Sequence, residues 1–87
     1  MFRLWGKIMT DQHLVRDHVA EIAGDDTRTH KVFAALDEIC YELDLARPIW
    51  LDGNIADFRR TSKTKFTKDA FVDAIDFDFL EIEVIEE

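Results

Sequence analysis

The chain has 87 residues, 47% of them hydrophobic, and a formal charge of −8 at neutral pH. That length suits one domain over residues 1–87, and the apolar content excludes an intrinsically disordered chain. The acidic balance disfavours nonspecific binding to nucleic acid or to anionic membrane surfaces.

Residues 2–9 predict a strand. Phe2, Leu4 and Ile8 alternate on one face, and Arg3, Trp5, Lys7 and Met9 on the other. Gly6 marks either a bulge or a close backbone approach. Thr10-Asp11-Gln12-His13 reads as a polar turn, and residues 14–22 as a second strand, completing an N-terminal hairpin. In that strand Val15 and Val19 are expected to share a face with Asp17 and Glu21, opposite Arg16, His18, Ala20 and Ile22.

Asp25, Asp26, Thr27 and Thr29 suit a helix N-cap. The helix that follows, over residues 27–45, has Val32, Phe33, Leu36, Ile39, Cys40 and Leu43 at the spacing of one apolar face. Pro48 requires that it stop by Arg47. Pro48-Ile49-Trp50-Leu51 reads as an extended apolar run. Asp52 or Asn54 then caps a short helix carrying Ile55 and Phe58. Residues 59–65 read as a polar, basic loop. Thr67 caps another short helix with Ala70, Phe71, Ala74 and Ile75 turned inward. Residues 77–85 predict a strand with Leu80, Ile82 and Val84 on one face. The expected fold is therefore α+β: an antiparallel sheet of the hairpin plus the C-terminal strand, the main helix across one face, and residues 48–75 as an irregular arm with short helices. Trp5 and Trp50 are expected to cover the core in preference to serving as exposed anchors.

A core this small demands efficient packing or a second subunit to cover part of its apolar surface, so a homodimer stays open. Cys40 is the only cysteine, which excludes an intrachain disulfide. The N-terminus carries charges at Arg3 and Lys7 and lacks the long apolar stretch of a signal peptide. No window is apolar enough for a transmembrane helix. A cytoplasmic protein is the expectation.

Charge is unevenly distributed. Residues 57–68 hold Arg59, Arg60, Lys63, Lys65 and Lys68 against Asp57 alone, whereas residues 69–87 hold eight acids and no base. Asp73, Asp76, Asp78, Glu81 and Glu83 form the candidate acidic interaction face, and the five cations form a candidate basic patch. Solvated charges that only maintain solubility and blunt sheet edges are the plainer alternative. In a third arrangement the basic segment folds over the acidic strand, of its own or a second subunit, and needs no ligand.

Metal and catalytic chemistry find little support. His13, His18, His30 and Cys40 lack metal-ligand spacing, and Asp76-Phe77-Asp78 lacks the rest of a calcium loop. There is no nucleophile motif and no glycine-rich phosphate loop, so no enzyme activity and no cofactor are expected. The chain resembles a family of small uncharacterised proteins of clostridial Firmicutes. The resemblance is carried by Met1-Phe2-Arg3-Leu4-Trp5-Gly6-Lys7, Asp26-Thr27-Arg28-Thr29-His30-Lys31, Arg47-Pro48-Ile49-Trp50-Leu51 and Asp76-Phe77-Asp78-Phe79-Leu80-Glu81-Ile82. It implies a bacterial, intracellular, free-standing protein and brings no activity or site. The functional expectation is a non-catalytic interaction or regulatory protein whose acidic face contacts a basic protein partner. The alternatives are an acidic nucleic-acid mimic that inhibits a nucleic-acid-binding enzyme, and nucleic-acid binding through residues 59–68.

Overall fold

A computed structural model describes all 87 residues. Strands β1 (Phe2–Thr10) and β2 (His13–Ile22) precede helix α1 (Arg28–Glu42). Helix α2 (Asp52–Thr61), strand β3 (Lys63–Phe66), a single 3-10 turn (Lys68–Ala70) and strand β4 (Phe79–Glu86) complete the chain. The four strands form one antiparallel sheet in the order β2-β1-β4-β3. The fold is α+β, as the sequence predicts.

The hairpin forms because Asp11 and Gln12 both take positive φ angles, 51° and 66°, as the central pair of a tight two-residue turn must. Asp78 accepts a hydrogen bond from the Asp11 amide at 2.8 Å and so ties the turn to the approach to β4. Past the turn, the β1–β2 register shifts at Ile8/Met9, and Met9 pairs with Leu14 while Ile8 pairs with Arg16. Val15 is the extra residue of this bulge. It lines a cleft with Arg16, Leu43 and Phe77 on the helix side of the sheet, and does not share the face of Val19 as strict alternation predicts.

One face of the sheet is dry. Phe2, Leu4 and Ile8 of β1, Ala20 of β2, Phe66 of β3, and Leu80 and Ile82 of β4 are buried there against Val32, Ala35, Leu36, Ile39 and Cys40 of α1. Gly6 is the close approach anticipated from its position: a β-carbon on it would collide with Ile39 Cγ2. Absence of a side chain lets the helix settle onto the centre of the sheet. Phe33, expected in the core, is 46% exposed, because the buried stripe of α1 turns through Ala35 and leaves Phe33 at its margin. Ala74 is likewise exposed, whereas Ala70 and Phe71 are buried.

Thr27 caps α1 by accepting from the His30 amide at 3.2 Å. The helix ends at Glu42, well before Pro48 forces a stop. Asp44 adopts φ 57°, and the Leu45 amide donates back to the Cys40 carbonyl at 2.8 Å, closing a Schellman-type turn without glycine. Arg16 of β2 donates to the carbonyls of Glu42 and Leu43, both at 3.2 Å, so a cation sits at the negative end of the helix.

The segment 48–75 departs most from its expected form. It is not only an irregular arm, and residues 63–65 are not a loop: Lys63–Phe66 pairs with β4 as a fourth strand. Asn54 makes this possible. Its buried amide donates to Thr64 Oγ1 at 3.0 Å and to the Lys65 carbonyl at 2.9 Å, while its carbonyl accepts from the Leu51 amide at 3.0 Å. One side chain thus opens α2 and fastens that helix to β3. Trp50 is half-buried against the core, edge-on to Phe66 at 5.0 Å and to Phe58 at 5.5 Å between ring centroids.

Candidate functional site

The second face of the sheet has no helix over it, and alternation, with a register shift at Arg3/Leu4 that brings Glu86 round, assigns it nearly all the charge of the strands. From β2 to β3 its central rows read Asp17, Lys7, Glu81, Lys65 and then Val19, Trp5, Glu83, Lys63. A third row joins Glu21, Arg3 and Glu86, with Arg3 Nε 2.9 Å from a carboxylate oxygen of each. Lys7 is the hub of this lattice. Its ammonium lies 2.9 Å from Glu81, 3.4 Å from Glu83 and 4.1 Å from the centre of the Trp5 ring. Burial opposes the Lys7 charge, but the hydrogen bonds and charges of Glu81 and then Glu83 outweigh it, raising its pKa above the ordinary lysine value. Trp5 donates from Nε1 to Asp17 at 2.9 Å and is half-buried on this face, outside the core expected for it.

The two charge zones meet in an unforeseen way. The basic segment does lie beside the acidic strand, with Lys63 opposite Glu83 and Lys65 opposite Glu81 in register. The acids nevertheless form their ion pairs with Lys7. Lys63 is exposed and joins no ion pair, and Lys65 extends to the ring of Phe79, 4.6 Å from its centre.

The remaining candidate residues are dispersed. Of the acids, Asp78 is occupied with the hairpin turn, while Asp73 and Asp76 lie on the opposite side from Glu81 and Glu83. There they rim a cleft of about 490 Å³ with Asp44, over a floor that includes Leu45, Phe71, Ile75 and Phe77. None of the three aspartates takes part in an ion pair. Asp44 was not singled out in the sequence, where it reads only as one more solvated acid near a helix end. The left-handed turn after α1 carries it to the rim. Of the cations, Arg60 is paired with Asp57 at 3.2 Å and Lys68 is exposed in the 3-10 turn. Arg59 borders a separate groove between α1 and α2.

Two of the three histidines pair with single carboxylates, His18 with Glu38 at 2.7 Å and His30 with Asp26 at 2.9 Å. The His30 hydrogen bond, helped by the Thr27 amide, holds the Asp26 carboxyl below the usual aspartate range. No three of the His, Cys, Asp and Glu side chains converge as a metal-binding group. Burial, with the charge of Asp37 behind it, pushes the Cys40 thiol up to about 11, so it stays protonated and packs as a small hydrophobe. No helix is long and apolar enough to cross a membrane. Compared with protein-family models, with curated proteins and with solved structures, the chain finds no match.

Proposed function

We propose that the protein is a non-catalytic interaction or regulatory protein that meets a basic partner through the cleft rimmed by Asp44, Asp73 and Asp76. The supporting observation is the difference between its two groups of acids. Glu81 and Glu83 are held by Lys7, whereas the three aspartates form no ion pair and stand over apolar side chains. Arg16 lines the adjoining cleft with Asp44 and Asp76, but its guanidinium is committed to the carbonyls of Glu42 and Leu43 and pairs with neither acid. A partner side chain with an apolar stem and a cationic head, a lysine or arginine, matches both parts of such a cleft. A cytoplasmic setting and kinship with the clostridial family belong to the same proposal and rest on the lone cysteine and the sequence resemblance.

The acidic-mimic alternative draws less support, since Lys7 pairs with both Glu81 and Glu83. Direct nucleic-acid binding retains Lys63 and Lys65 as free cations, but on a face that also carries Asp17, Glu21, Glu81, Glu83 and Glu86.

The test is affinity capture from host lysate at low and physiological salt, with three baits. The wild type and Glu81→Gln/Glu83→Gln are expected to retain the same salt-sensitive partner, and Asp44→Asn/Asp73→Asn/Asp76→Asn to lose it. Retention by the triple variant would refute the cleft, and loss only with the glutamate variant would return the acidic strand to first place.

A further inference from the structure

The groove between α1 and α2 has the opposite character from the rest of this acidic molecule. Its volume is about 300 Å³, its floor is formed by Phe33, Trp50, Ile55 and Phe58, and its only charged lining residues are Arg28 and Arg59. The cleft beside Arg16, the one rimmed by Asp73 and a smaller one between Asp37 and Arg47 each carry at least one aspartate. Phe33 and Ile55 remain 46% and 38% exposed, so the apolar floor is open to a ligand.

Arg28 is positioned as an anion receptor. It stands in the first turn of α1, which holds no acid of its own. Its guanidinium is held over the Phe58 ring at 5.3 Å and donates from Nη2 to Ser62 Oγ at 3.0 Å. Through Nε it already grips a carboxylate, that of Glu87, at 2.7 Å. Arg59, across the groove, forms no ion pair. We propose that this groove binds a small apolar carboxylate, an aryl or short-chain acyl acid, with its carboxylate between Arg28 and Arg59 and its apolar body on Phe33, Trp50 and Ile55. The glutamate on Arg28, held through Nε at 2.7 Å, shows that the guanidinium takes a carboxylate in this setting. The volume lies at the small end of ligand sites, about 300–1,000 Å³, which favours a compact acid over a polypeptide segment. Glu87 is then an internal competitor, displaced when the ligand arrives.

The two indole N–H signals make the test selective, because Trp50 lies in this groove and Trp5 on the far face of the sheet. ¹⁵N-labelled full-length protein is titrated with 4-phenylbutyrate, with uncharged 4-phenylbutanol and with phenyl phosphate. The acid is expected to shift the Trp50 indole and the Phe33 and Ile55 amides while leaving the Trp5 indole unmoved. The alcohol is expected to bind about ten-fold more weakly for want of the charged hydrogen bonds, and the phosphate more weakly than the acid because it lacks the three methylenes that would lie on Phe33, Trp50 and Ile55. Arg59→Gln, a change at an exposed residue, is expected to weaken the acid about five-fold, and Glu87→Gln to strengthen it by releasing Arg28. Equal binding of acid and alcohol, tighter binding of the phosphate, shifts centred away from Trp50, or no gain from Glu87→Gln would overturn the proposal. So would failure to bind up to the solubility limit of the acid.

Discussion

The two faces of the sheet are built from the same strands and differ in what lies above them. Under α1, β1 presents Phe2, Leu4, Gly6 and Ile8, all buried. One residue along in each case, Arg3, Trp5, Lys7 and Met9 face no helix and are organised by charge. Stability on the first face comes from excluded water and close contact, and on the second from pairs that water weakens. Substitutions should therefore be felt very unequally on the two sides.

The sharpest break is Phe66→Ala. Phe66 is fully buried under Trp50, and truncation is expected to cost about 3–5 kcal/mol. That is a large part of the about 5–15 kcal/mol that stabilises a typical domain, so urea denaturation should show a collapsed midpoint. Gly6→Ala comes next, at about 1–3 kcal/mol, because the new methyl meets Ile39. Trimming Ile39 to Ala, which removes the Cγ2 that the new methyl meets, should recover part of that loss, so that the double variant is more stable than the two single effects predict. Additive losses would mean that Gly6 serves the strand and not the approach of the helix.

On the charged face, Lys7→Met is expected to cost about 1 kcal/mol, since Glu81 and Glu83 lose their shared cation. The raised Lys7 pKa fixes the sign of its pH dependence. Its contribution is complete below the unfolded value of 10.5 and is lost as pH rises through the higher folded value. An alkaline series of unfolding curves should show this loss in the wild type and lack that component in Lys7→Met. The smallest effect is expected for Arg3→Gln, at most about 0.5 kcal/mol and erased by added salt, because its pairs with Glu21 and Glu86 are nearly half exposed. A loss from Arg3→Gln as large as that from Gly6→Ala would mean that the charged face is not screened by water.

Local pattern made the α+β architecture legible. The alternation of Phe2, Leu4 and Ile8, the periodicity of α1 and the Thr27 cap are properties of neighbouring residues, and each found its place. Strand β3 was hidden even though Lys63-Thr64-Lys65-Phe66 alternates, because two lysines in four residues also describe a solvated loop. Its sheet position depends on Asn54 nine residues or more upstream, a hydrogen-bonding relation that periodicity does not encode. The end of α1 was hidden because Asp44 occupies a backbone conformation more usual for glycine.

The site divides along the same line. Sequence alone determined that acids and bases fall into two neighbouring runs, that the strands separate apolar from charged residues, and that Cys40 stands without a disulfide partner. Tertiary structure decided which charges remain free. Lys7, more than seventy residues away in the chain, reaches Glu81 and Glu83 before Lys63 or Lys65 does, while Asp44, Asp73 and Asp76, on the opposite side, form no ion pair. Coulomb attraction falls with distance through space, and distance between residues far apart in sequence is set only when the sheet closes.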